Sequence, residues 1–317
     1  MHESLLKPPR LKQGATIGVI APSSFPYYPE FSLFQGLEHL KKLGYKVVLG
    51  QTLRKSLAQG YHSASDEERA QELNWTFRDS SIDAVFCARG GVSSLRILKM
   101  IDYDLIKKNP KIFVGYSDTT SIQNAFLSRS SLVSVQGPMV AVGFGKNSDT
   151  ELTKHYWSTL FEMLKGEALE LGAWLGGPIP LTIKEGKAKG RVIGGNLILF
   201  SLIASSEFCV PPLGKILFLE DIKEEAWRID NFLSSLEIKG VLNEIEGAIL
   251  GEFPQGEELS NPSVEQVLRS HFSQKPYPSF VNYPCCHGFG REPIPLGVQV
   301  EMDADLKKVS MLETLVD

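Results

Sequence analysis

The chain has 317 residues, with 33 Lys plus Arg against 37 Asp plus Glu and a formal charge of -4. That length carries about two domains with proper cores, and the scattered charge leaves no basic stripe of the kind nucleic acid requires. The first apolar run, Ile17 to Ala21, is too short for a signal segment, and no stretch approaches a membrane span, so a soluble, cytoplasmic protein is expected.

Taken in chain order, Thr16 to Ala21 reads as an apolar strand ending at Pro22-Ser23-Ser24. Phe31 to Leu43 follows as a helix with apolar Phe34, Leu37 and Leu40 and a stop at Gly44. Tyr45 to Leu49 is the next strand. Ser65-Asp66-Glu67-Glu68 has capping-box spacing and opens a helix with Ala70, Leu73 and Phe77 on one face. Ala84 to Ala88 is a third strand, followed by Arg89-Gly90-Gly91 and a helix through Leu95, Leu98 and Ile101. Lys111 to Gly115 then runs into Tyr116-Ser117-Asp118-Thr119-Thr120 and an apolar-spaced segment, which reads as strand, tight turn and helix; Leu132 to Val135 supplies a fifth strand. Repeated β-α units of this length predict a mostly parallel, Rossmann-like or flavodoxin-like sheet with helices on both faces. Ligands in such sheets bind beyond the carboxyl ends of the strands, where Pro22-Ser23-Ser24, Gly90-Gly91 and Ser117 fall.

Residues 145–190 hold one helix, Leu152 to Leu164, then Gly172, Gly176-Gly177, Pro178 and Pro180, a composition suited to a crossover or mobile loop. A second α/β unit begins near Gly190: Gly194-Gly195-Asn196 leads into a helix, Lys215 to Leu219 is a buried strand before a long helix, and Gly247 to Gly251 is another strand. Val298, Val300 and Met302 alternate with polar neighbours as a half-buried strand does. The expected organisation is an N-terminal parallel α/β domain over 1–143, a connector over 144–189, and a C-terminal α/β domain with a β-barrel-like sheet over 190–317.

Three places carry candidate chemistry. A Ser in the Gly-Tyr-Ser-Asp turn has an exposed Oγ, and the next backbone N–H sits at the positive end of a new helix, where an oxyanion can be held. Thr119 fills the last Gly of the usual Gly-x-Ser-x-Gly elbow, and the alternative is that Ser117 or Asp118 caps the helix. Glu220 ends the apolar strand Ile216-Leu217-Phe218-Leu219, where a carboxylate serves either a salt bridge or catalysis; Asp221, with Glu224 three residues on, reads as a helix N-cap box. His287 lies in the Pro/Gly-bounded loop Tyr283 to Gly290, the setting of a positioned functional side chain. Of the 4 cysteines, Cys285 and Cys286 adjoin His287, but adjacent residues seldom converge on one tetrahedral ion; no disulfide framework is expected, and a Cys286 nucleophile would have no elbow around it.

Together these stretches resemble a family. Ile17-Gly18-Val19-Ile20-Ala21-Pro22-Ser23, the Asp66 to Arg69 helix start, Ala88-Arg89-Gly90-Gly91, Val114 to Thr120, Gly194-Gly195-Asn196-Leu197, Ile216 to Asp221 and the His287 to Gly297 loop are similar, in order and over most of the chain, to the serine LD-carboxypeptidases. That family includes muropeptide-recycling enzymes of the cytoplasm and microcin C self-immunity hydrolases. The resemblance implies a Ser-Glu-His triad of Ser117, Glu220 and His287, an oxyanion hole from the backbone N–H groups of Gly91 and Asp118, close approach of substrate at Gly90, a homodimer, and no metal or nucleotide cofactor. Ser117 would lie on one domain and the acid and base on the other, across a cleft. The sequence departs from the family where Val92-Ser93 replaces a usual Tyr-Gly, where Ala64 or Ser65 replaces a Gly, and at Asn231 in place of an Arg. Arg89 either pairs with a substrate carboxylate or braces the Gly90-Gly91 turn; Trp174 is either a stacking residue on a mobile loop or a packed anchor.

The function expected on these grounds is hydrolysis of an L,D-amide bond, releasing terminal D-alanine from a peptidoglycan-derived tetrapeptide. The alternatives are detoxification of peptidyl or aminoacyl-nucleotide conjugates, and a two-lobed binding protein that closes on a ligand without cutting it.

Overall fold

A computed structural model describes residues 5–27, 33–144, 150–254 and 261–317. The first half supplies β1 (Thr16–Ile20), β2 (Lys46–Leu49), β3 (Ala84–Cys87), β4 (Ile112–Gly115) and β5 (Ser134–Gln136), all parallel, in the spatial order 5-4-3-1-2. β3 and β4 are buried at every position, because helices cover both faces of the sheet. Those helices are α1 (Leu33–Lys42), α2 (Asp66–Arg78), α3 (Ser94–Ile97), α4 (Tyr103–Lys108) and α5 (Thr120–Ser130).

The capping box at α2 is formed in both directions: Ser65 Oγ accepts from the Glu68 amide, and the Glu68 carboxylate accepts from the Ser65 amide. Two local expectations fail. Phe34 is exposed while Leu37 and Leu40 are buried, so α1 turns a narrower face inward. The helix expected through Ile101 stops at Ile97, passes through a short 3-10 turn, and gives way to α4, because Asp102 caps a new helix by accepting from the Leu105 amide.

The second half and the segment before it build an eight-stranded mixed sheet. Its members are β6 (Glu170–Leu171), β7 (Leu181–Lys184), β8 (Lys187–Asn196), β9 (Lys215–Glu220), β10 (Gly247–Gly251) and β11 (Ser279–Tyr283), then, after β12 (Ile294–Leu296), β13 (Gln299–Asp303) and β14 (Lys308–Met311). The order is 6-14-13-8-9-10-11-7, parallel from β8 to β11 and antiparallel on both flanks. The stretch read as a loop therefore contributes two edge strands and the start of β8. β12 leaves this sheet and adds an antiparallel edge to β5, pairing Ile294 with Gln136 and Leu296 with Ser134.

One apolar core runs between the sheets, joining Val19, Phe86 and Phe113 to Phe218, Ile249 and Phe280; Trp157 and Leu160 of α6 (Glu151–Lys165) belong to it. A second core fills the far face of the larger sheet beneath α7 (Leu197–Ile203), α8 (Ala226–Ile238), α9 (Val241–Glu244) and α10 (Val264–Phe272). No helix among the described residues is long and apolar enough to cross a membrane.

Candidate active site

Ser117 follows β4 with φ at +64°, in the left-handed region where a residue with a β-carbon is strained by about 1 kcal/mol or more. The chain turns there from strand into the 3-10 turn Ser117–Thr119 and on into α5. Neither Ser117 nor Asp118 caps the helix. The buried Asp118 carboxylate instead accepts from Ser23 Oγ at 2.5 Å and from the Ser94 amide at 2.8 Å, and burial pushes its pKa up against these hydrogen bonds. Gly90 packs against the elbow: a β-carbon there would lie 2.8 Å from Ser117 Cβ, 3.0 Å from its Oγ and 3.3 Å from the Asp118 amide nitrogen. Gly91, with φ at +126°, lies over Ser24, where any side chain would collide.

On the other side, Glu220 at the end of β9 is fully buried, and its Oε2 lies 2.7 Å from His287 Nδ1. The His287 side chain is 14% exposed, and its ring meets Tyr116 edge-on at a centroid distance of 5.0 Å. Tyr116 immediately precedes Ser117, so acid, imidazole and elbow lie together at the junction of the sheets.

Residues 17–137 match the LD-carboxypeptidase N-terminal domain and residues 189–302 the LD-carboxypeptidase C-terminal domain. The chain belongs to the LD-carboxypeptidase family. It is 36% identical over 312 residues to the probable murein peptide carboxypeptidase of Bacillus subtilis, covering 97% of this chain and 94% of that one. It is 31% identical over 343 residues to the microcin C7 self-immunity protein MccF of Escherichia coli, covering 98% and 96%. The structure of MccF in complex with aspartyl sulfamoyl adenosine superposes with a TM-score of 0.89 at 28% identity, over 98% of this chain and 100% of that one. The expected pairing of a parallel sheet with a second, curled α/β sheet is the fold of this family, and the protein is a serine-type LD-carboxypeptidase.

In this LD-carboxypeptidase the loop that carries His287 is held by residues that the sequence motifs do not single out. The Arg291 guanidinium donates to the carbonyls of Cys286 and Gly288. The buried Glu252 carboxylate accepts from the amides of Phe289 at 2.7 Å and Gly290 at 3.4 Å, and burial raises its pKa. A signal existed, since Leu250-Gly251-Glu252 ends an apolar strand in acid just as Leu219-Glu220 does.

Asn196 ties the two halves together. Its amide donates to Thr120 Oγ1 at 3.0 Å, while its side-chain Nδ2 reaches Asp221 Oδ1 at 2.9 Å and Glu220 Oε1 at 3.5 Å. Asp221 is therefore not the cap of the helix after it. α8 begins only at Ala226, and the Asp221 carboxylate accepts from the Ile198 and Ile222 amides. Burial, then the neighbouring Glu220 charge, pushes the Asp221 pKa up to about 6.

Cys285, Cys286 and His287 face different partners: Cys285 Sγ lies against Gly251, Cys286 Sγ faces Gln136, and His287 faces Glu220. Burial raises both thiol pKa values, which disfavours the thiolate that a Cys286 nucleophile would need. Among the described residues no three His, Cys, Asp or Glu side chains cluster to hold a metal. Arg89 is half-buried beside the elbow, and its charge is felt at Tyr116. Trp174 is half exposed, on a loop whose Gly176 and Gly177 lie against the exposed Phe289 ring.

Proposed function

We propose that Ser117, His287 and Glu220 are the nucleophile, base and acid of this carboxypeptidase, and that its substrate is the peptidoglycan tetrapeptide L-Ala-γ-D-Glu-meso-diaminopimelate-D-Ala. The observation that carries the reading is the 2.7 Å bond from His287 Nδ1 to Glu220 beside the strained Ser117 elbow. With Nδ1–H committed to Glu220, Nε2 holds the lone pair that takes the Ser117 proton as Oγ attacks the scissile carbonyl. The amides of Asp118 and Gly91 receive the resulting oxyanion. Collapse breaks the C–N bond, and His287 returns the proton to the departing amine of D-alanine. Water, deprotonated by the same imidazole, then hydrolyses the acyl-enzyme and frees the tripeptide. The kinship with a probable murein peptide carboxypeptidase supports this substrate. A cytoplasmic location and a homodimer, implied by the family resemblance, belong to the same proposal.

Mass spectrometry of the tetrapeptide incubated with the protein, beside a Ser117→Ala control, tests it. D-Alanine release by the wild type and a fall of about 10⁴- to 10⁶-fold in the variant are expected. Equal, measurable release by both would discard Ser117 as the nucleophile, and negligible release by both, with the protein folded, would discard the tetrapeptide as substrate.

A second reading is favoured by the exposed aromatics Trp174 and Phe289 on adjoining loops, which suit a flat ring. MccF, a relative, has been captured with an aspartyl sulfamoyl adenosine. Cleavage of an aminoacyl-nucleotide conjugate, with the tetrapeptide left intact, would select this reading.

A further inference from the structure

Arg69, on the first turn of α2, is fully buried. One arm of its guanidinium, Nη1, donates to the carbonyl of Pro22 at 2.7 Å and to that of Ser93 at 3.3 Å; the other, Nη2, pairs with the Asp66 carboxylate. Asp66 is gripped from outside by Arg96, whose Nε lies 2.8 Å from Oδ2 and whose Nη2 lies 2.7 Å from it. These contacts hold Asp66 ionised, with its pKa below the ordinary carboxylate range.

The two carbonyls are set apart by the serines that come directly after them in the chain. Pro22 leads into Ser23, whose hydroxyl donates to Asp118. Ser93, left-handed at φ +88°, leads into Ser94, whose amide donates to the same Asp118 oxygen and whose hydroxyl donates to the Asp118 carbonyl at 2.5 Å. Between them Ser24 binds this lip twice, its amide donating to the Gly90 carbonyl at 3.3 Å and its hydroxyl accepting from the Val92 amide at 3.3 Å. One cation thus fixes both segments that flank the Gly91 and Asp118 amides. A buried ion pair used only for stability would commonly be matched by well-packed apolar residues, which makes its link to these two carbonyls the informative feature.

We propose that the Asp66–Arg69 pair, closed at the surface by Arg96, is the positioning device of the oxyanion hole. It holds the Pro22–Ser24 and Gly91–Ser94 segments at fixed spacing, so that the two amides converge on the tetrahedral intermediate without rearrangement. This rests on the reading of Gly91 and Asp118 as oxyanion donors. Arg69 touches no substrate; it acts through Ser23, Ser93 and Ser94.

The test uses Arg69→Lys, Asp66→Asn and the exposed Arg96→Ala, the last loosening Asp66 without opening the interior. For each, kcat and KM with the tetrapeptide are measured, together with the affinity for a boronate analogue of the tripeptide product, which forms an oxyanion-like adduct, and for the tripeptide itself. We expect kcat to fall about tenfold to a hundredfold in the first two variants and severalfold in Arg96→Ala. KM and tripeptide affinity should stay within about twofold while boronate affinity falls in step with kcat. Folded variants that keep wild-type kcat and boronate affinity overturn the inference, as does a parallel loss of kcat, tripeptide affinity and melting temperature, which marks a purely structural pair. A wild type that neither releases D-alanine nor binds the boronate would instead bring down the functional reading, and this inference with it.

Discussion

Ser117 is held by its own backbone, in a turn at φ +64° directly between β4 and α5. His287 is paired with Glu220 from β9, and its loop is held by side chains on either side of it: Glu252 from beyond β10 accepts from the Phe289 and Gly290 amides, and Arg291 from later in the loop donates to the Cys286 and Gly288 carbonyls. The Ser117 turn itself is assembled as soon as its strand and helix form, and its weakness is an added atom, although the Asp118 beside it also depends on its bonds to Ser23 and Ser94. A loop held by distant carboxylates is assembled only when the second sheet is complete, and its weakness is the loss of a charge. The two halves of this site should therefore fail in different ways.

The largest effect is expected on the charge-held side. Glu220→Gln keeps the size of the side chain but cannot stabilise the imidazolium or fix its tautomer, and kcat should fall by about 10⁴. Steady-state kinetics on the tetrapeptide measure this. A fall of less than tenfold would mean that Arg291 and Glu252 orient the ring without the acid.

The same side should carry a pH-dependent strain. Burial raises the Glu292 pKa to about 7 from its ordinary 4.5, while its carboxylate accepts from the Gly172 amide at 3.0 Å at the root of the Trp174 loop. His155 Nε2 lies 3.7 Å away, with the Tyr156 and Tyr283 hydroxyls also facing the charge. Because the folded-state pKa is raised, the folded form binds this proton more tightly than the unfolded chain. That stabilisation is complete below pH 4.5 and is lost as pH rises through 7, an effect of up to ~3 kcal/mol. Glu292→Gln never ionises yet still offers an oxygen to Gly172. Its melting temperature should exceed that of the wild type at pH 8, and the gap should close by pH 5. A wild type no less stable relative to the variant at pH 8 than at pH 5 would show that His155 already neutralises the carboxylate.

The elbow should respond to bulk. Gly90→Ala places a methyl group 2.8 Å from Ser117 Cβ at a position without a positive φ, so the added atom, and not backbone strain, is what is tested. Displacing Oγ by a fraction of an ångström should lower kcat by about a hundredfold, with at most ~3 kcal/mol lost in stability. Unchanged kcat in a folded variant would show that the elbow gives way, contrary to its backbone-built character.

The same division explains what was legible in the sequence. The parallel sheet and the Ser117 turn were readable because strand, turn and helix are contiguous and carry their own periodicity. Glu220 stood out as an acid closing an apolar strand. Glu252 has the same pattern but no place in the family motifs that drew attention to Glu220. The cap expected at Asp221 does not form because spacing alone does not reveal which helix a carboxylate will face; the segment over 222–225 delays α8 and leaves Asp221 to the segment after β8. β12 was invisible as a crossing strand, being short and paired across the molecule with β5. Arg69 closes the Asp66 to Arg69 helix start that the family shares, but its burial is not legible there, since only tertiary packing decides that a cation is buried.

The link between the halves gives the smallest and most discriminating effect. The Asn196 side chain serves the acid, through Asp221 and Glu220, while its backbone amide binds Thr120 Oγ1 at the start of the elbow helix. Asn196→Ala removes the first contact, together with the cap that Asn196 Oδ1 gives α7 at the Leu199 amide, and leaves the second; Thr120→Val removes the second and leaves the first, also depriving Gln136 Nε2 of a partner at 3.1 Å. If the elbow is set by its own backbone, each single variant should lower stability by about 1 to 2 kcal/mol. Their effects on kcat should then be additive within about 0.5 kcal/mol, because Ser117 keeps its geometry whichever contact is lost. A double-mutant cycle on kcat and on melting temperature decides the matter. Coupling above about 1 kcal/mol in kcat, with additive stabilities, would mean that Asn196 transmits the position of Glu220 to Ser117, and the elbow would no longer count as self-built.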